Sequence, residues 1–181
     1  MEDQLIIVNE KDEMVGVGAK LNIHREGLLH RAFSVFIFNS HGELLLQRRA
    51  LSKYHSPGLW SNTCCGHPRP GEQVIVAARQ RLKAEMGLDC QLEGFGSVVY
   101  RADVGDGLVE HEFDHLLVGH SDDEPTINLQ EVIDWRLAHL ATLRRELNDR
   151  PQDFTSWFRL IMDTHGLRER ISGVACHYFS A

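Results

Sequence analysis

Long apolar runs are missing from this sequence. No stretch approaches the ~20 residues a helix needs to cross a bilayer, so no helical membrane span is expected. Cysteine is sparse. Cys64, Cys65, Cys90 and Cys176 do not make the disulfide framework of a small secreted fold, and neighbours such as Cys64 and Cys65 bridge only under strain. Positive charge is in deficit: Lys and Arg number 19 against 26 Asp and Glu, a net charge of −7. Nucleic acid is therefore not the expected bulk partner. A small anionic ligand stays open, because local arginines decide that. The opening MEDQLIIVNEKDE has neither the basic start nor the apolar core of a signal peptide. These absences point to a reducing, cytoplasmic setting. No repeat or low-complexity linker breaks the chain. Residues 1–181 read as one domain with a short N-terminal extension and a C-terminal tail, a monomer or weak homo-oligomer.

Histidine is what the chain has in plenty: eleven of them, several beside acids, a mild pointer to metal or proton chemistry. The apolar pattern predicts a strand at 5–8. A hairpin over 32–38 and 43–48 follows, around the turn NSHG. SKYHSPGLWSNTCCGHPRPG is punctuated by Pro, Gly and Ser and reads as loop with at most one short strand. From Glu72 the period becomes helical, with Val74, Ala77, Ala78 and Leu82 on one face and Gly87 as the stop. FGSVVYRA, GLVEHEFDHLLVGH and EVIDWRLA read as strands. HLATLRREL and DFTSWFRLIMDTH read as helices. This irregular alternation predicts an α/β (α+β) fold, a mixed β-sheet sandwiched between helices.

In LVEHEFDHL, strand alternation puts Glu110 and Glu112 on one face and His111 on the other. Two carboxylates side by side need a metal, a shared proton or solvent. His24, His30 and His67 fall in segments that read as loop or strand edge; with the two glutamates they would complete an N/O metal site with one open position. Spacing alone does not bring them together, and Cys65 beside His67 is also compatible with zinc ligation. Arg81 and Glu85, one turn apart, form either a surface ion pair or a core-side carboxylate with its cation, since Glu85 lies about three turns after Val74. Arg48, Arg49 and Lys53 are candidates to clamp a diphosphate.

Within GHPRPGEQVIVAARQRLKAEMGL, Gly66, Glu72, Leu82, Glu85, Gly87 and Leu88 match a Nudix box. Gln80 and Arg81 stand where that signature has an Arg-Glu pair, and Ala84 replaces the first of its paired glutamates. With LHRAFSVFIFNSHGELLLQ, RRALSKYHSPGLWSNTCCGHPRPGE, VVYRA, LVEHEF and FTSWF in matching order, the chain from about Leu5 to His165 resembles the type I isopentenyl-diphosphate isomerases of the Nudix superfamily. The resemblance implies interconversion of isopentenyl and dimethylallyl diphosphate through a tertiary carbocation. Cys65, as a low-pKa thiolate, and Glu112 helped by Tyr100 would handle protons. Trp157 would face the cation, and Trp60 would shape the apolar wall. His24, His30, His67, Glu110 and Glu112 would bind a first ion, Zn²⁺, Mn²⁺ or Mg²⁺. Glu85 would help hold a second, Mg²⁺, and Lys20, Arg49, Lys53 and Arg81 would grip the diphosphate. A diphosphate hydrolase and a non-catalytic metal-binding module are the competing readings. The thinned acidic cluster counts against the first, and the joint presence of Cys65, Tyr100, Glu112 and Trp157 against the second.

Overall fold

The structure is a computed structural model and describes residues 4–164. The tail after Gly166 lies outside the described residues. Strands β1 (Gln4–Val8) and β2 (Met14–Ala19) form a first hairpin and lead directly into helix α1 (Lys20–Glu26). Strand β3 (His30–Phe38) follows, then β4 (Glu43–Arg49), β5 (Trp60–Ser61) and β6 (Cys64–Gly66). Helix α2 (Val74–Met86) comes next, then β7 (Leu92–Gly105), β8 (Leu108–His120), β9 (Val132–His139), α3 (Leu140–Asp149), a 3₁₀ turn Pro151–Asp153 and α4 (Ser156–Asp163).

The sheet is mixed. β3 and β8 run parallel in a continuous register from His30↔Glu112 to Phe38↔His120, and β7 pairs antiparallel with the far side of β8. β9 and β5 flank β4. Alternation along β3 and β4 sends side chains to two cores. Phe36, Phe38, Leu44 and Leu46 pack with Leu143, Trp157, Phe158 and Ile161 of α3 and α4. Phe33, Val35, Ile37 and Leu45 pack with Ala77, Ala78, Leu82 and Met86 of α2. The expected sheet between helices is therefore the observed layering. α2 begins at Val74, two residues later than the helical period suggests, with Gln73 in extended backbone at its N-cap. It ends at Gly87, whose φ of 72° is left-handed, a conformation that disfavours residues with a Cβ.

The predicted hairpin exists, but it is split. β3 and β4 pair only at Phe38↔Leu44, beside the turn. Further from the turn the chain from Trp60 to Gly66 enters between them: Trp60 and Ser61 pair with β4, while Cys64–Gly66 pair with β3. The loop expected over this segment thus holds two short strands. Thr63 bridges the gap. Its hydroxyl accepts from the Ile37 amide at 2.9 Å and donates to the Leu45 carbonyl at 2.6 Å. Asn62 donates to the carbonyls of Val35 and Cys64. Buried main-chain groups that lose their ladder partners must find others, and these two side chains supply them.

Thr63→Val keeps the volume and removes the bridge. Each buried group left unpaired costs about 1–3 kcal/mol, so urea unfolding should show a marked loss that Thr63→Ser largely avoids.

Candidate active site

One cavity of about 440 Å³ gathers side chains from α1, β4, β6, α2, β7, β8, α4 and the loop after β4. His67 and Glu110 line it, and with His24 and His30 they form a group whose ligand atoms all fall within 4.8 Å of one another. His24 does not sit in a loop, as the sequence suggests, but in α1, which swings it under β8. His30 is the first residue of β3, and the parallel register sets it directly beside Glu112. Glu110 and Glu112 are both buried, on the same face of β8.

The protons of this cluster are fixed by its carbonyls. His24 Nδ1 lies 2.6 Å from the Lys20 carbonyl, and His30 Nδ1 lies 2.9 Å from the Leu28 carbonyl. A carbonyl oxygen accepts, so both Nδ1 atoms carry hydrogen and both Nε2 atoms present lone pairs in the neutral ring. Those lone pairs face carboxylates. His24 Nε2 is 3.0 Å from Glu110 Oε2; His30 Nε2, buried and without a hydrogen-bond partner, is 3.8 Å from Glu110 and 3.6 Å from Glu112. Lone pair against lone pair in a dry site repels unless a proton or a cation lies between. Burial opposes protonation of His30, but the adjacent Glu112 carboxylate outweighs it and raises its pKa. This donor set fits a divalent ion: imidazole nitrogens with Nδ1–H anchored on carbonyls, joined by carboxylate oxygens.

Glu112 continues the cluster. His67 Nε2 lies 2.9 Å from Glu112 Oε1, and the Tyr100 hydroxyl, from the facing position on β7, donates to Glu112 Oε2. Burial would raise the Glu112 carboxyl, yet His30 and the Glu110 and Tyr100 contacts hold it below the ordinary range. Burial raises Tyr100 far above its usual value, so its proton stays on.

Cys65 lines the same cavity, while its neighbour Cys64 turns into the α2-side core. The Cys65 Sγ is 3.1 Å from Asn62 Oδ1 and 3.6 Å from Ser34 Oγ, and Ser34 donates to buried Asp114 at 2.7 Å. The surroundings of the thiol oppose the low-pKa thiolate that the resemblance implies. Burial, with the Asp114 carboxyl nearby, pushes Cys65 up to about 12, which favours the neutral thiol. Gly66 after it gives room: a Cβ there would sit 2.8 Å from the Phe33 ring.

Lys20, Arg49, Lys53 and Arg81 all line the cavity. Arg81 binds Glu85 at 2.5 Å and Glu131 at 3.0 Å, and Lys53 also pairs with Glu131. Gln47 donates to the other oxygen of Glu85 at 3.0 Å, so Glu85 is the buried, cation-paired carboxylate and not a surface partner. The Arg49 guanidinium stacks 5.0 Å over Trp157, whose indole N–H is fixed by Ser61 at 3.1 Å. Arg48, the alternating neighbour of Arg49, is exposed and donates to the Gly58 carbonyl. Trp60 does not form the expected wall; it is held under Arg136 at 4.9 Å, and the cavity lining excludes it. Sequence reasoning missed Tyr54, His55, Asp114 and Glu131. Asp114 continues the alternation of Glu110 and Glu112, a signal that was available. Tyr54 and His55 lie in the same basic segment as Lys53.

The NUDIX domain family model matches residues 28–158. Isopentenyl-diphosphate Delta-isomerase 2 of Aromatoleum aromaticum is 50% identical over 163 residues, 90% of this chain and 86% of its own. Isopentenyl-diphosphate Delta-isomerase of Burkholderia multivorans is 50% identical over 167 residues, 92% of this chain and 95% of its own. This chain belongs to the isopentenyl-diphosphate isomerases of the Nudix superfamily. Among solved structures, DR0079 from Deinococcus radiodurans shares the fold with a TM-score of 0.73 at 20% identity, covering 92% of this chain and 98% of its own. MutT protein from Methanosarcina mazei Go1 does so with a TM-score of 0.62 at 18% identity, covering 81% and 94%. In this isomerase the three departures from the Nudix box, Gln80, Arg81 and Ala84, all face the cavity beside Glu85. Among its described residues, no helix is long and apolar enough to cross a membrane.

An ion bound only by the folded state should stabilise it, by about 2.7 kcal/mol at a hundredfold excess over its Kd. Thermal unfolding should therefore move up with added Mn²⁺ or Zn²⁺, and His30→Ala should remove most of that increment.

Proposed function

We propose that this isomerase moves the double bond of isopentenyl diphosphate by adding a proton to one face of the olefin and removing one from the other. Dimethylallyl diphosphate is the product, and the step runs in both directions. One observation carries the reading: Cys65, the Glu112–Tyr100 pair, Trp157 and four cationic side chains share a single cavity. A binding module needs no pair of proton-handling groups.

The proton balance is simple. One group delivers H⁺ to the terminal olefinic carbon, leaving a tertiary cation, and the other removes H⁺ from the allylic carbon. Each turnover leaves the donor one proton poorer and the acceptor one richer, and the pair is reset when the acceptor gives its proton to water and the donor takes one up. Cys65 as a neutral thiol and Glu112 as a carboxylate hydrogen-bonded by Tyr100 hold complementary states at the outset. Tyr100 orients the carboxylate and keeps its own proton within reach of it. Trp157, nearly buried, offers an electron-rich surface to positive charge, worth about 2 kcal/mol in a desolvated pocket. Lys20, Arg49, Lys53 and Arg81 neutralise the diphosphate and anchor the short hydrocarbon beside the proton pair.

His24, His30, His67, Glu110 and Glu112 would hold one divalent ion, Zn²⁺, Mn²⁺ or Mg²⁺; Glu85 would help hold Mg²⁺ with the diphosphate. When bound, such ions supply electrostatic stabilisation and charge neutralisation. Arg81, in a position where a Nudix hydrolase has a glutamate, supports retention of the diphosphate over its hydrolysis.

The test is incubation of purified protein with labelled isopentenyl diphosphate, Mg²⁺ and Mn²⁺. Dimethylallyl diphosphate without phosphate release is expected; phosphate release would indicate a hydrolase, and neither product a binding module. Cys65→Ala should lower turnover by at least about 10²–10⁴-fold, the usual scale for a proton-transfer group, with metal content near native. Native-rate turnover by Cys65→Ala would remove Cys65 from the proton pair.

A further inference from the structure

His55 stands in the loop between β4 and β5, outside the metal-holding group, yet its ring is buried against that group. Its Nε2 lies 3.2 Å from Glu110 Oε1, and its Nδ1 is buried without a partner, so the proton of the neutral ring belongs on Nε2, toward the carboxylate. The other oxygen, Oε2, is the one that faces His24 and His30, at 3.0 and 3.8 Å. The two oxygens of Glu110 are thus divided between different partners. The imidazole is wedged between Tyr54, at a centroid distance of 4.4 Å, and Trp157, at 5.5 Å, edge-on to both. The main chain of the same residue accepts from Arg49 Nη2 at 3.1 Å, and the adjacent Ser56 carbonyl accepts from Arg49 Nε at 3.2 Å. His55 therefore reaches a carboxylate of the metal-holding group with its side chain and holds cavity-lining Arg49 with its backbone.

We propose that His55 is a positioning residue that fixes Glu110 Oε1, and so keeps Oε2 turned toward His24 and His30 for metal binding. A free carboxylate rotates and can offer either oxygen or both. Locking one oxygen from outside removes that freedom, and partners that orient a ligating carboxylate in this way commonly govern metal affinity. The aromatic contacts on both sides keep the ring from swinging away, so the orientation is set by packing before any ion arrives. The inference deepens the proposed function and rests on its reading of His24, His30, His67 and Glu110 as the metal-holding group.

The test is Mn²⁺ titration of apoprotein, followed by electron paramagnetic resonance, for native protein, His55→Leu and His55→Gln. Circular dichroism confirms folding, and His55→Ala replaces His55→Leu if the latter does not fold. His55→Leu, which keeps bulk but loses the donor, should bind Mn²⁺ about 10–100-fold more weakly. His55→Gln, which keeps an N–H donor, should recover most of the affinity. At saturating Mn²⁺ the KM of His55→Leu for isopentenyl diphosphate should stay near native. Native Mn²⁺ affinity in folded His55→Leu would overturn the inference. So would a raised KM with unchanged Mn²⁺ affinity, which would make His55 a support for Arg49 alone. Native protein that binds Mn²⁺ and loses affinity in His55→Leu, but does not isomerise, would overturn the proposed activity and uphold the role of His55.

Discussion

His24 and His30 commit their Nδ1 protons to main-chain carbonyls, so in the neutral ring their Nε2 lone pairs turn toward the carboxylates of Glu110 and Glu112. In a buried, low-dielectric site that arrangement is repulsive until positive charge enters it. The rest of the site answers to this constraint. Lys20, at the start of the same helix as His24, lies close enough for its charge to be felt by both glutamates, though burial lowers its own pKa. Tyr100 donates to Glu112, and His67 and His55 approach the remaining carboxylate oxygens. A fold that merely needed a core would fill this space with leucine and valine. Its histidines and acids cost stability, and a group able to hold a cation is what they provide in return.

Strand register is what brings the charges together. β8 presents Glu110, Glu112 and Asp114 on one face because side chains alternate, and a slip of one residue would turn all three away. The parallel match of His30 with Glu112 joins β3 to that face, and Tyr100 meets Glu112 from β7. The alternation was legible in LVEHEFDHL, as were β3, β4, α2 and the helix that carries Trp157. These signals are local periods of two or 3.6 residues, and local periods survive in a single sequence.

What was not legible depends on contacts between distant segments. β2 is a half-exposed edge strand, and α1 has seven residues, too short for a helical period to stand out. The hairpin of β3 and β4 reads as closed, since nothing in either strand announces that Trp60–Gly66 will part them. The signal was in the intruding segment: Ser61, Asn62 and Thr63 are consecutive small polar residues, all buried, and such residues substitute for main-chain partners where a ladder is interrupted. The surroundings of Cys65 were hidden for a related reason. A Cys-Gly-His sequence suggests an activated sulfur, but the thiol lies buried near Asp114, and burial together with that carboxyl favours the neutral form.

On the proposed reading, helix α2 holds a diphosphate without cleaving it. Hydrolysis at such a site calls for clustered carboxylates that gather several ions and activate water. Here the cavity-facing positions around Glu85 are Gln80, Arg81 and Ala84. A guanidinium in place of a carboxylate changes the local charge by two units, which removes anionic ligands and adds a donor fork suited to phosphate oxygens. Glu85 survives because Arg81 and Gln47 hold its two oxygens, and Glu131 from beyond β8 steadies Arg81 and Lys53 in turn. Burial also weighs against water. Cys65, Glu112 and Trp157 share one cavity with the cations, so an anion gripped by those cations would hold its hydrocarbon within reach of the proton pair. Affinity for the charged end then serves to place the uncharged end, and the reaction follows from where the olefin is held.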